Sequence, residues 1–218
     1  MIRVLLADDE PLMRVGIRTI LSSDPGITVV AEASDGREAA ELAGRHRPDV
    51  ALLDIQMPGT DGFTAITLIR RASPATTVAM LTTFSRDEYV SRALDDGASG
   101  FLLKAAAPRE LITGVRAVAE GGAFLSPKVT RRVITGFRNR RENRAHPAHE
   151  RISALSPRER QVLALLGAGL SNAEIARELH LVEDTVKTHV SAVYARIGVK
   201  NRVQAAIIAH DTGLSADR

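Results

Sequence analysis

The hydrophobic pattern of the first 120 residues switches repeatedly between two periods. Val4-Leu5-Leu6-Ala7 is a short unbroken apolar run, and the stretch after it places Met13, Ile17, Ile20 and Leu21 on one helical face. Ile27-Thr28-Val29-Val30, Val50-Ala51-Leu52-Leu53, Thr77-Val78-Ala79-Met80-Leu81 and Gly100-Phe101-Leu102-Leu103 are further apolar runs. Helical stretches are predicted between them, near 36–46, 62–72, 86–96 and 108–120; in the last, Leu111, Val115 and Val118 repeat at helical spacing. Strands apolar on both faces, alternating with helices, predict a parallel sheet covered on each side. Five such units predict a doubly wound, flavodoxin-like α/β domain whose site lies at the carboxyl ends of the strands.

Beyond Ser126 this alternation stops. Val129, Val133, Ile134 and Phe137 fit one short amphipathic helix, and the basic run 138–147 has nothing to bury and reads as a tether. The last third is helical. Ser156-Pro157-Arg158-Glu159 has the Ser, Pro and Glu of a capping box, and Ser171-Asn172-Ala173-Glu174 repeats that logic. A third helix is predicted from about Asp184 to Ile197, stopping at Gly198, and a fourth opens at Asn201. The expected organisation is therefore an α/β domain over 1–122, a linker over 123–151 and an all-α four-helix domain over 152–218.

Composition narrows the setting. The chain has 218 residues, enough for two domains, and contains no Cys and no Trp. Disulfides and thiolate metal sites are thereby excluded, and a cytoplasmic location is expected. The first apolar run is too short for a secretory signal, and no stretch nears the roughly 18 apolar residues of a membrane helix, so no membrane partner is expected. The net charge of +3 conceals an asymmetry, with residues 1–125 at −4 and residues 126–218 at +7. An acidic first half joined to a basic second half points to a polyanion as partner of the second alone.

The candidate chemistry gathers at the predicted strand ends. Asp8 and Asp9 follow the first strand, Asp54 the third, Thr82 the fourth and Lys104 the fifth. Converging carboxylates repel one another unless a cation intervenes, and hard oxygen ligands suit magnesium. One carboxylate is then free to act as nucleophile toward a phosphoryl group, with Thr82 and Lys104 supplying a hydroxyl and a positive charge to its oxygens. Each residue has an ordinary alternative: Asp9 as a helix cap, Asp54 as an Asx-turn residue, Thr82 as a strand-end Thr, Lys104 as a solvated side chain. All of them falling together at strand ends is the informative feature. The first 120 or so residues resemble the receiver domain of two-component response regulators. The likeness rests on Asp8-Asp9, on Asp54-Ile55-Gln56-Met57-Pro58-Gly59-Thr60-Asp61-Gly62, on Thr82 and on Lys104. That resemblance implies that Asp54 accepts a phosphoryl group from a sensor histidine kinase. It also implies Mg2+ held by Asp9, Asp54 and the Gln56 backbone carbonyl, with Asp8 acting through water. Phe101 takes the switch aromatic position, where the ring swings inward as Thr82 moves. The lysine is followed by Ala105-Ala106-Ala107-Pro108, a departure from the family's usual Pro or Asp. Gln56 and Phe84 stand where receivers tune dephosphorylation, which implies a long-lived phosphoryl state.

In the predicted third C-terminal helix, Val186, Val190, Val193 and Ile197 share one face, while Lys187, Thr188 and Ser191 point elsewhere. Buried on one side and polar on the other, such a helix suits the major groove of double-stranded DNA. Thr185, Ser171, Asn172, Asn201 and Arg202 fall at helix starts, where side chains and N–H groups meet phosphates; capping is the alternative for Ser171 and Thr185. Residues 152–214 resemble the LuxR/NarL-type DNA-binding domain. The matching segments are Leu155–Leu163, Gly169–Ala176 and Thr185-Val186-Lys187-Thr188-His189-Val190. Val182 replaces the usual Ser before the recognition helix, and Ser191 stands where some relatives are basic. The resemblance implies a homodimer through the last helix, with Val203, Ala206 and Ile207 available, and hence an inverted-repeat promoter site.

Together these readings predict a DNA-binding transcriptional response regulator that is not an enzyme, in which phosphorylation frees an occluded or misoriented recognition helix. A phosphatase is disfavoured because Asp54-Ile55-Gln56 carries no second carboxylate two residues on. A regulator sensing a small molecule, or a receiver that works without phosphate, shares the DNA-binding end. The acidic set and the scarcity of aromatics to line a pocket favour the phosphorylated receiver.

Overall fold

A computed structural model describes residues 1–83, 87–125, 130 and 151–214. The position of Phe84, the short helix expected around 129–137 and the basic run 138–147 lie outside the described residues.

Strands and helices alternate as β1 (Ile2–Ala7), α1 (Pro11–Ser22), β2 (Ile27–Ala33), α2 (Gly36–His46), β3 (Val50–Asp54), α3 (Gly62–Ala72), β4 (Thr77–Thr82), α4 (Asp87–Asp96), β5 (Gly100–Leu103), α5 (Pro108–Ala119) and β6 (Phe124–Leu125). They form one sheet in the order β2-β1-β3-β4-β5-β6, with every neighbouring pair parallel. The period of two along each strand divides its residues between two cores. Leu5, Ala7, Ala51, Leu53, Val78 and Met80 face α2, α3 and α4. Val4, Leu6, Val50, Leu52, Ala79 and Leu81 face α1 and α5, where Ile17, Leu21, Leu111, Val115 and Val118 close the layer. The doubly wound α/β architecture is as the periodicity predicts.

Six strands stand where five are expected. β6 is two residues long and pairs Gly100 with Phe124 and Phe101 with Leu125. Two residues carry no periodicity, so the run was absorbed into the expected linker. Phe124 packs against the core on the α1/α5 face, filling the space over Gly114, where a Cβ would approach it to 2.9 Å.

The C-terminal residues carry α6 (Pro157–Gly167), α7 (Asn172–Glu178), α8 (Glu183–Ile197) and α9 (Arg202–Asp211). Both capping boxes form: Ser156 Oγ accepts from the Glu159 N–H, Ser171 Oγ accepts from the Glu174 N–H, and each glutamate reaches back to the cap's own N–H. Glycine at position 198, with φ +69°, ends α8 in the left-handed conformation that relieves its last carbonyls. Val182 stands at the N-cap of α8 and makes no side-chain cap bond, as its lack of a hydroxyl predicts. Val186, Val190, Val193 and Ile197 are buried with Val162, Leu163, Leu166 and Ile175 in a third core.

One close approach ties the fold to the site. The Gly62 N–H donates to the Ile55 carbonyl at 3.1 Å, and a Cβ at Gly62 would collide with the Asp54 carbonyl oxygen. The start of α3 therefore rests directly against the end of β3. Gly62→Ala is expected to destabilise the protein by about 1–3 kcal/mol, because neither backbone can retreat. Urea unfolding followed by circular dichroism measures this, and an unchanged midpoint would contradict the contact.

Candidate functional site

The strand register sets the site before any side chain is considered. Ala7 pairs with Leu53, Asp54 with Leu81 and Thr82 with Leu103, so Asp8, Asp54, Thr82 and Lys104 end adjacent strands at one level. The Asp8 N–H donates to the Ala33 carbonyl, and the Lys104 N–H donates to the Thr82 carbonyl at 2.7 Å. That last bond extends the ladder one residue past β5. It settles the Ala-rich turn after the lysine, in which the Ala106 N–H closes onto the Leu103 carbonyl and Ala107 becomes the N-cap of α5.

All the acidic residues expected at the site converge. Asp8, Asp9 and Asp54 each offer a carboxylate oxygen, and these oxygens lie within 4.8 Å of one another. Asp8 and Asp54 are buried, whereas Asp9 is exposed. Asp9 does not cap α1, whose N-cap is Glu10 without a side-chain bond. Lys104 Nζ lies 2.7 Å from Asp8 Oδ2 and 3.1 Å from Asp54 Oδ2, with its side chain almost wholly buried. Asp54 Oδ1 accepts from the Ile55 N–H, and Asp8 Oδ1 accepts from the Glu10 N–H. Gln56 is exposed at the mouth, and Thr82 is buried at its strand end. Phe101 is fully buried, against the expectation of a ring that starts outside and swings inward.

Burial pushes the Asp54 carboxyl above its ordinary value, against the pull of Lys104, while the Asp8 charge adds to the rise. Burial alone would lower Lys104, but its hydrogen bonds and charge contacts with Asp8 and Asp54 outweigh that and hold it above the ordinary lysine value. Three carboxylates around one ammonium leave an excess of negative charge, and the donor set is hard oxygen. The residues present fit a divalent cation such as magnesium. Two neighbours were not legible in the sequence. Glu10 Oε1 lies 3.9 Å from Lys104 Nζ, and Arg14 Nη1 donates to the Asp8 carbonyl at 2.6 Å. Both belong to an exposed-looking turn and helix face, where charged residues carry no signal of their own.

The expected DNA-contacting residues separate into two groups. Lys187, Thr188 and Ser191 are exposed along α8. Lys187 Nζ lies 3.2 Å from Glu183 and 3.3 Å from Asp184, and its hydrogen bond with Glu183, followed by that with Asp184, raises its pKa. Thr185 is half-buried in the first turn of α8, and Ser171 is engaged in its capping box. Asn172, Asn201 and Arg202, by contrast, are buried where the helical unit meets the α/β unit. The residues expected at a dimer interface share that fate in part. Val203 joins the core beside α4, Ile207 packs against the same cluster, and Ala206 is half-buried.

Because burial raises the Asp54 pKa, the stability linked to that group is complete below the ordinary carboxylate range and is lost as pH rises through the raised value. Asp54→Asn is therefore expected to raise Tm by about 2–5 °C at neutral pH in the presence of a chelator, the difference from wild type shrinking as pH falls toward the carboxylate range. Calorimetry across pH checks this. A lower Tm for the variant at neutral pH would mean that the Lys104 attraction outweighs the cost of burial.

Residues 4–116 match the family described as the response regulator receiver domain, and residues 153–209 match the bacterial regulatory proteins of the luxR family. The transcriptional regulatory protein LnrK of Bacillus subtilis is 36% identical over 99% of both chains. The crystal structure of the response regulator ChrA of a heme-sensing two-component system is 39% identical, with a TM-score of 0.53 over 98% of both chains. A structure of two RcsB dimers bound to two parallel DNAs is 28% identical, with a TM-score of 0.56 over 96% of this chain and 98% of that one. With the acidic cluster at the strand ends and the exposed polar face of α8, these matches establish that the chain belongs to the two-component response regulators with a LuxR-type DNA-binding domain.

Proposed function

We propose that Asp54 is phosphorylated by a sensor histidine kinase and that this controls pairing of the chain and its binding to an inverted-repeat promoter site in the cytoplasm. One observation carries the reading. Lys104 Nζ lies within ion-pair distance of both Asp8 and Asp54 at the carboxyl ends of the strands, in a chain whose second half is a LuxR-type domain.

The step balances simply. An Asp54 carboxylate oxygen attacks the phosphorus of a phosphohistidine, the P–N bond breaks, and its electron pair stays on the imidazole nitrogen, which takes up a proton. A magnesium ion held by Asp9, Asp54 and the Gln56 carbonyl, with Asp8 through water, would supply positive charge to the phosphoryl oxygens. Lys104 is already beside the accepting carboxylate and pairs with the new dianion. Thr82, buried at the end of β4, offers a hydroxyl to the same oxygens, and Phe101 lies in the core layer that any movement of β4 and β5 repacks. Gln56 brings no carboxylate to activate a water, so the phosphoryl state is expected to be long-lived; a half-life of seconds would contradict this.

On the DNA side, Lys187, Thr188 and Ser191 read base edges or phosphates from α8, while Ser171, Thr185, Asn172, Asn201 and Arg202 contact the backbone. Pairing through α9 uses Val203, Ala206 and Ile207. RcsB is dimeric on DNA in its solved complex, which supports a two-half-site arrangement here.

Intact mass after incubation with acetyl phosphate tests the first part. A magnesium-dependent gain of one phosphoryl group, absent from Asp54→Asn, is expected. No gain in the wild type would point to a receiver controlled without phosphate and would leave the DNA-binding domain as an independent finding. For the second part, Lys187→Ala is expected to weaken duplex binding and to flatten the dependence of log K on log salt by about one contact. An unchanged affinity and slope would remove Lys187 from the interface.

A further inference from the structure

The start of α9 is where the two halves of the chain meet. Asn201 Nδ2 donates to the Leu94 carbonyl at 2.6 Å, and Gln204 Nε2 donates to the same oxygen at 3.0 Å. Leu94 lies in the last turn of α4. Arg202 Nη1 donates to the Gly121 carbonyl at 2.7 Å, just beyond α5, and the Asn172 N–H approaches the Glu120 carbonyl at 3.4 Å. From the other side, Arg70 Nη1 donates to the Lys200 carbonyl at 2.9 Å. Val203 and Ile207 close the seam with apolar contact.

The acceptors offered to α9 share one chemistry. They are backbone carbonyls at or just past two helix C-termini, where the aligned peptide dipoles leave partial negative charge. A DNA phosphate offers the same donors an oxygen with a full charge, and Asn201 and Arg202 are the residues assigned to that role above. The fit to the carbonyls is incomplete. Arg202 is only 4% exposed, yet its Nη2 has no hydrogen-bond partner, and among the described residues no carboxylate lies within ion-pair distance of the guanidinium. A phosphate takes two guanidinium nitrogens at once, so the seam holds Arg202 with half of what it can bind. The reading face of α8 is untouched by this contact, since Lys187, Thr188 and Ser191 stay exposed.

We propose that the receiver restrains DNA binding by gripping the first turn of α9 through the C-terminal carbonyls of α4 and α5. Closure of the seam and seating of Asn201 and Arg202 on DNA phosphates are then mutually exclusive, while α8 remains open. This rests on the DNA-contact reading above and replaces occlusion of the recognition helix as the means of control. The closed chain still offers Lys187 to DNA, so it retains weak binding rather than none. Opening completes the backbone contacts and frees Val203 and Ile207 in the same movement.

The absence of native cysteine allows a direct test in the full chain. Gln204 Nε2 and Asp95 Oδ1 lie 3.5 Å apart across the seam, so the pair Asp95→Cys/Gln204→Cys is expected to form a disulfide under mild oxidation. A fluorescent mixed-sequence duplex of about 30 base pairs at low salt is the probe, because phosphate contacts do not depend on sequence. Excess duplex is expected to slow cross-linking several-fold, and the locked chain to bind the duplex about tenfold more weakly than after reduction. Gln204→Glu keeps the side-chain acceptor that takes the Lys200 N–H but sets a carboxylate against the Leu94 carbonyl and Asp95. It is expected to bind the duplex about three- to tenfold more tightly than wild type. Failure of the pair to cross-link, or a locked chain that binds as well as the reduced one, overturns the proposal. If neither the reduced pair variant nor the wild type binds any duplex, the DNA-contact reading itself falls, and the inference with it.

Discussion

The receiver site depends on one ammonium group placed between two buried carboxylates. Asp8 and Asp54 are almost wholly removed from water, and two such charges side by side would repel each other strongly in a medium of low polarisability. Lys104 bridges them at 2.7 and 3.1 Å, and its own proton is held more tightly in consequence. The compensation is partial, because Asp54 keeps a raised pKa in spite of it. A buried pair of this kind contributes little net stability, and its value lies in fixing geometry and charge. The cluster retains an excess of negative charge facing the one open side, where Asp9 meets solvent. That excess gives the mouth its affinity for cations, and through a cation for a phosphoryl donor.

Every other feature of the α/β unit serves that placement. The parallel register brings four strand ends to one level, the Lys104 N–H carries the ladder past β5, and Gly62 lets α3 approach the carbonyl of Asp54. The helical unit meets this body at the opposite ends of the elements. Its donors take the terminal carbonyls of α4 and α5, which emerge away from the acidic mouth and behind the core containing Phe101. A change at the strand ends therefore reaches the seam through side chains packed between them: Met80, Phe101, Leu94 and Ala98 belong to one cluster with Val203. Such a chain of contacts is a physical route for coupling, and its strength is a matter for measurement.

Much of this was legible in the residues alone. The apolar runs and helical faces gave each strand and helix of the α/β unit within a few positions, because strands buried on both faces leave unbroken aliphatic runs. Asp8, Asp9, Asp54, Thr82 and Lys104 were legible as a site because the doubly wound topology converts positions along the chain into neighbours. The seam was not legible. Its acceptors are backbone carbonyls, which every residue carries, and its donors, Asn201 and Arg202, look the same in sequence whether they face a phosphate or a peptide oxygen. Val203 and Ile207 likewise read as an apolar stripe without saying what covers it. Phe101 read as a core or switch residue, and only its full burial shows which side of that movement the molecule occupies.

The two-residue strand β6 has a consequence for how the protein keeps to itself in a crowded solution. A five-stranded sheet would end on β5, a short, wholly apolar strand whose free N–H and C=O groups would be a template for another chain. Phe124 and Leu125 cover that template with the chain's own backbone. The opposite edge, β2, is shielded by different means: its Glu32 is flanked by Arg14 and Arg18 from α1, which place charge along the rim. One border is closed by hydrogen bonding and the other by electrostatics, so aggregation through strand addition is resisted on both.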